Sequence, residues 1–159
     1  MREAARKILS RDVLQRKLAE HKRAGQRIVF ANGCFDVLHV GHIRYLHGAK
    51  QLGGKLIVGV NSDASAHALK GEGRPHMPAA ERAEILAALS CVDAVVIFDE
   101  DTPHAVITRL QPDVLVKGAD WAADAIVGRD IVEARGGRVV RATIEPGYST
   151  TAIIARIRA

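Results

Sequence analysis

Residues 27–42, R-I-V-F-A-N-G-C-F-D-V-L-H-V-G-H, decide the fold. The run from Arg27 to Ala31 is short, apolar and β-branched, as a buried strand requires. Asn32-Gly33 ends it with a backbone able to turn closely. From about Val40 to Leu52, Ile43, Leu46, Ala49 and Leu52 recur at helical spacing. The order is therefore strand, Gly-bearing turn, helix, with His39 and His42 where the helix begins. Free backbone N–H groups and the positive end of a helix dipole would lie beside two imidazoles. Such a place suits phosphates.

Two alternatives compete for the histidines. They could be a solvated helix start, or they could join Cys34 as metal ligands. Three ligands crowded into one turn, with no fourth at zinc-site spacing, weigh against metal, and none is expected. The phosphate reading also accounts for the strand, Gly33, Gly41 and the helix together. Without a Cβ, Gly41 would let a ligand approach closely.

Working outward, residues 55–61 (K-L-I-V-G-V-N) form a second buried strand with Asn61 at its C-terminal end, where ligands collect in open parallel sheets. Residues 70–75 (K-G-E-G-R-P) are either a surface turn or a mobile flap whose Lys70 and Arg74 cover phosphates. Pro78 opens a helix with Ile85, Leu86 and Leu89 on its buried side. Arg82 in its first turn opposes the helix dipole, a conflict that an anionic ligand or Glu81 would remove. Further strands are expected over 92–98, 113–118 and 138–142. The fourth strand leads into Lys117, Asp120 and Trp121, which could line a sugar pocket or plug a gap between loops. Finally, G-Y-S-T-T-A-I-I-A-R-I over 147–157 starts a helix. One hydroxyl among Ser149, Thr150 and Thr151 suffices for a cap, so the others are free to meet a phosphate. Strands alternating with helices predict an α/β domain, a five-stranded parallel sheet covered on both faces.

Composition bounds the rest. A chain of 159 residues, 48% hydrophobic, can bury a proper core. Cys34 and Cys91 are its only cysteines, so no disulfide framework is expected, and a reducing, cytoplasmic setting fits. No apolar run reaches the length of a membrane span and no secretory segment opens the chain. The net charge of +5 sits in the first 27 residues, with nine Lys/Arg against three Asp/Glu, while the remainder carries fourteen against fifteen. With six aromatics and no basic–aromatic platform, neither nucleic acid nor membrane is expected as a partner. Residues 1–26 read as a basic helical leader, capped by Ser10, stopped by Gly25 and docked through Val13, Leu14 and Leu18; residues 27–159 form the main domain.

H-V-G-H after N-G-C-F-D resembles the H-x-G-H signature of the nucleotidyltransferase superfamily, which shares its α/β fold with class I aminoacyl-tRNA synthetases. The resemblance implies a single Rossmann-like domain and an enzyme in which His39 and His42 contact a triphosphate. Cytidylyltransferases of this superfamily carry R-T-x-G-I-S-T-T, where this chain has I-E-P-G-Y-S-T-T over 144–151, without the Arg and Thr. The motifs N-G-C-F-D-V-L-H-V-G-H, V-N-S-D-A-S, L-K-G-E-G-R-P, V-K-G-A-D and G-Y-S-T-T instead resemble the adenylyltransferases that make ADP-heptose for lipopolysaccharide, in a form without the fused sugar kinase. That implies ATP and D-glycero-β-D-manno-heptose 1-phosphate as substrates, with Mg²⁺ carried by the ATP phosphates and self-association left open. It also implies His39, His42 and Lys70 in catalysis. Asn32, Gly33, Cys34, Phe35, Gly41, Ser149, Thr150 and Thr151 would face the nucleotide. Asp36, Asn61, Arg82, Lys117, Asp120 and Trp121 would face the sugar phosphate. The alternatives are another sugar- or alcohol-phosphate nucleotidyltransferase, such as a glycerol-3-phosphate cytidylyltransferase, and a non-catalytic nucleotide-binding module.

Overall fold

The computed structural model describes residues 2–159. In chain order the elements are α1 (Arg2–Ala5), α2 (Arg11–Arg23), β1 (Ile28–Gly33), α3 (Val40–Lys50), β2 (Lys55–Asn61), α4 (Asp63–Lys70) and α5 (Ala79–Ala87). They continue with β3 (Ala94–Phe98), α6 (His104–Leu110), β4 (Val114–Gly118), a 3₁₀ turn (Ala123–Ala125), α7 (Arg129–Ala134), β5 (Arg138–Ala142) and α8 (Thr150–Arg158). The five strands pair in parallel in the order β3-β2-β1-β4-β5. The α/β, Rossmann-like expectation therefore holds.

Period-two alternation in the strands sends successive side chains to opposite faces. Val29, Ala31, Leu56, Val58 and Val60 meet Leu46 and Ala49 of α3 and Leu86 of α5 on one face. Ile28, Phe30 and Ile57 meet Leu14 and Leu18 of α2, Ile107 of α6 and Val132 of α7 on the other. Gly59 belongs to this packing: a Cβ there would lie 2.6 Å from Cζ of Phe30.

The basic N-terminal segment is built into this body. Ser10 caps α2 by accepting the Val13 N–H at 3.3 Å, and Leu14 and Leu18 are fully buried. Just before α2, Leu9 N–H donates to the Val95 carbonyl at 2.9 Å and Val95 N–H to that of Lys7 at 2.8 Å, extending the β3 edge. Arg11 pairs with Glu100 in the β3–α6 connection. On α5 the buried face differs from the expected one. Arg82, Ala83, Leu86 and Ala87 are buried and Ile85 is exposed, because an arginine anchors the helix and rotates it. Among the described residues no helix is long and apolar enough to cross a membrane.

Candidate functional site

The strand order grows one way from β1 through β2 to β3 and the other way through β4 to β5. At such a reversal the flanking loops part beyond the strands' C-terminal ends and leave a crevice. Here that crevice is a cleft of about 370 Å³ between the β1–α3 turn, the ends of β4 and β5, and the start of α8. Asn32, Gly33, Cys34 and Phe35 line its floor, and the half-buried His39 and His42 line its wall.

The β1–α3 turn is unusual backbone. Phe35 (φ 49°) and Val37 (φ 53°) both lie in the left-handed region, which for bulky or β-branched residues costs on the order of 1–3 kcal/mol each. Asp36 stands between them. Its carboxylate accepts from Arg74 Nε at 2.8 Å, His76 N–H at 2.8 Å and Met77 N–H at 3.0 Å, and its carbonyl accepts from Thr150 Oγ1 at 2.7 Å. Burial alone would raise this carboxyl, but the bonds from His76, Arg74 and Met77 outweigh it and hold it below its ordinary value. Asp36 was expected against the sugar phosphate. Its carboxylate is instead consumed inside the protein at 2% exposure.

The two histidines close a reciprocal cap on α3. His39 Nδ1 accepts the Gly41 N–H at 3.1 Å, and His42 Nδ1 accepts the His39 N–H at 3.3 Å. An Nδ1 that accepts carries a lone pair, so each neutral ring keeps its proton on Nε2. The rings stack with centroids 3.9 Å apart. Burial, then the neighbouring charges of His39 and Lys70, lower His42 to about 4, and burial lowers His39 as well. The pair thus presents two uncharged Nε2–H donors at a helix N-terminus. Gly41 makes the arrangement fit: a Cβ there would lie 2.9 Å from Cε1 of His39 and 3.1 Å from Cβ of Tyr148. The space was expected to serve a ligand, yet it is the His39 ring and Tyr148 that occupy it.

Cations approach from two sides. Lys70, exposed at the end of α4, and Arg74 line the cleft from the α4–α5 loop. Lys117, at the end of β4, lies with Nζ 4.8 Å from the Trp121 ring centre. Burial lowers the Lys117 pKa and the Asp120 charge opposes this. Asp120 and Trp121 both line the cleft. At α8, Ser149 Oγ accepts the Ala152 N–H at 3.0 Å as the cap, and Thr150 is spent on the Asp36 carbonyl. The Thr151 hydroxyl makes no hydrogen bond among the described residues. One free hydroxyl remains where two were expected.

Two expected residues lie elsewhere. Arg82, 1% exposed, donates to the carbonyls of Met77 at 2.8 Å, Cys34 at 2.6 Å and Asn61 at 2.9 Å, and to the Asp63 carboxylate at 2.9 Å. Asn61 is buried with its amide on Ser65 Oγ at 2.8 Å. Neither lines the cleft, because the guanidinium that resolves the dipole conflict on α5 finds its anion and acceptors inside the protein. Conversely, Tyr45, Glu145 and Tyr148 line the cleft without having been expected, and Ile144 lines it beside them. The Tyr45 hydroxyl donates to the Val116 carbonyl at 3.1 Å, and Glu145 pairs with Arg44 at 3.1 Å. The one signal for Glu145 and Tyr148 was the departure at 144–148 from the cytidylyltransferase pattern; nothing in the sequence marked Tyr45. A groove of about 450 Å³, with Lys22, Arg27, Arg135 and Arg138, opens at the opposite end of the sheet, away from His39 and His42.

The chain is 54% identical over 151 residues to the bifunctional protein HldE of Citrifermentans bemidjiense, an alignment covering 95% of this chain and 31% of that protein. The corresponding protein of Rhodopseudomonas palustris is 50% identical over 156 residues, 98% of this chain and 32% of that one. The chain therefore spans about a third of the length of the curated relatives it matches. Among solved structures, the lipopolysaccharide core biosynthesis protein of Thermoplasma volcanium superposes with a TM-score of 0.63 at 28% identity, covering 76% of this chain and 97% of that one. The pantothenate synthetase of Thermus thermophilus, at 15% identity and a TM-score of 0.58, shares the fold over 86% of this chain and 61% of its own. Residues 30–156, which hold the stacked histidines and the α8 cap, match the cytidylyltransferase-like family model, and the chain belongs to that family.

Proposed function

We propose that the chain transfers AMP from ATP to D-glycero-β-D-manno-heptose 1-phosphate, forming ADP-heptose and pyrophosphate, in the reducing cytoplasm. The observation that carries this reading is the facing of two donor sets across one cleft. Neutral Nε2–H groups stand at the start of α3, opposite the start of α8, with Lys70, Arg74 and Lys117 around them. The identity to bifunctional HldE proteins and the similarity to a lipopolysaccharide core biosynthesis protein support the sugar-nucleotide setting.

The chemistry asks little of the protein beyond placement and charge. A phosphate oxygen of the sugar 1-phosphate is already anionic, so no general base is needed. It attacks the α-phosphorus of ATP in line, the bond to the bridging oxygen breaks, and pyrophosphate departs. His39 and His42 donate to the phosphate oxygens as charge gathers on the leaving group. Lys70 and Arg74 balance the pyrophosphate, and Lys117 with Trp121 receives the sugar phosphate. Of the acidic side chains lining the cleft, Asp36 is held by Arg74, His76 and Met77 and Glu145 is paired with Arg44, which leaves Asp120 without a partner of its own. That donor set suits Mg²⁺ held mainly by ATP, where the ion supplies charge neutralisation. Ile144, 43% exposed and beside Gly118, offers the base an apolar edge that favours a purine.

The test is pyrophosphate release across ATP and CTP with a panel of sugar 1-phosphates. ATP should exceed CTP in kcat/KM by on the order of a thousandfold, with the heptose 1-phosphate as best acceptor. Equal or better use of CTP would remove the adenylyl assignment.

A further inference from the structure

We infer that Asp36 is a positioning residue, a buried node that sets the spacing between the histidine turn, Arg74 and the start of α8. The inference rests on the nucleotidyl-transfer reading above. Three segments distant in sequence meet at this one residue. The carboxylate binds Arg74 Nε and the amides of His76 and Met77; the carbonyl binds Thr150 Oγ1, which also reaches the Val37 carbonyl at 3.4 Å.

The local backbone needs such a node. Left-handed φ at both Phe35 and Val37 is costly, and it persists only when the surroundings over-determine it. Asp36 supplies that constraint from the residue between them. The turn so held ends two residues before His39, so its geometry is passed directly to the imidazole pair. Arg74 is oriented by the same carboxylate through Nε alone, which leaves its terminal nitrogens without hydrogen bonds among the described residues. Arg74 lines both the cleft and an adjoining groove of about 510 Å³, as do Lys70 and Thr151. Three donors from within the protein, two on Oδ2 and one on Oδ1, hold the Asp36 carboxylate, so its orientation is set by the protein.

Asp36→Asn preserves shape but turns one acceptor into a donor facing Arg74, His76 or Met77. The stoichiometry of ATP binding, read by titration calorimetry, counts binding-competent molecules, so turnover can be expressed per competent molecule. D36N should weaken ATP binding about tenfold and lower turnover per competent molecule about a hundredfold, the scale of a reacting group misplaced by about 1 Å. Adding Val37→Gly, which makes the left-handed φ free of strain, should restore at least about tenfold of that turnover. A residue serving only global stability would lower the number of competent molecules and leave the turnover of each intact. If D36N does not fold, Thr150→Val carries the test, with an expected loss of about tenfold that Val37→Gly again reduces. Turnover per competent molecule within threefold of wild type in D36N or T150V, or no recovery with Val37→Gly, overturns the inference. Failure of the transfer reading appears separately, as wild-type protein that binds ATP yet releases no pyrophosphate with any acceptor. The D36N loss of ATP affinity would then still decide the positioning role.

Discussion

His39 and His42 each accept a backbone N–H through Nδ1, His39 from Gly41 and His42 from His39 itself, with their rings stacked 3.9 Å apart. One motif thereby caps a helix, selects the Nε2–H tautomer of both imidazoles and fixes their separation. Replacing either residue by Ala should lower kcat by roughly a hundredfold or more, as loss of an oxyanion donor does. The lost cap should cost only about 1 kcal/mol of stability. Steady-state rates at saturating ATP check this, and wild-type turnover in both variants would contradict it.

Acid should act on stability before it acts on the site. His42 titrates at about 4 in the folded protein against an ordinary 6.5, chiefly because it is buried. Between those values the unfolded chain holds a proton that the folded one lacks, so stability is full above 6.5 and falls as pH drops toward 4. Thermal midpoints measured from pH 8 to 4.5 should decline more steeply for wild type than for His42→Asn. Turnover of folded protein should show no inflection near 6.5.

Arg82→Met should be a stability variant. It strips hydrogen bonds from the carbonyls of Cys34, Asn61 and Met77, two of them at buried residues, at about 1–3 kcal/mol for each acceptor left unsatisfied. Urea unfolding should show a loss of about 3 kcal/mol or more. An unchanged midpoint with a raised KM would return Arg82 to the substrate site.

Lys117→Met should raise the KM for sugar 1-phosphate about tenfold or more while ATP affinity changes less. It removes a half-buried ammonium that lines the cleft beside Trp121. An equal effect on both substrates would place Lys117 on the nucleotide side.

Leu18→Ala should cost about 2–5 kcal/mol, since Leu18 is buried on the sheet face that includes Phe30 and Leu115. Deleting residues 1–24 uncovers that face and should prevent cooperative unfolding altogether. A deletion that still melts cooperatively near the wild-type temperature would make α2 an accessory.

Local physics was enough for the elements and the place of the site. Apolar runs of β-branched residues, a Gly-bearing turn and helical spacing after His39 depend on neighbours in the chain, and they predicted five parallel strands and a cleft at their C-terminal ends. The strand order β3-β2-β1-β4-β5, and with it the meeting of α3 and α8, arises from contacts between residues far apart in sequence. The same holds for which polar groups are spent. Asp36, Arg82 and Thr150 have the chemistry of ligand-binding residues, and nothing beside them in sequence says otherwise. Only the folded chain brings the His76 and Met77 amides to Asp36, the carbonyls of Cys34 and Asn61 to Arg82, and the Asp36 carbonyl to Thr150. A polar group can serve a ligand only where the fold leaves it unpaired. Pairing is decided by long-range packing, so His39, His42, Lys70, Lys117 and Thr151 keep their free edges and the other three do not.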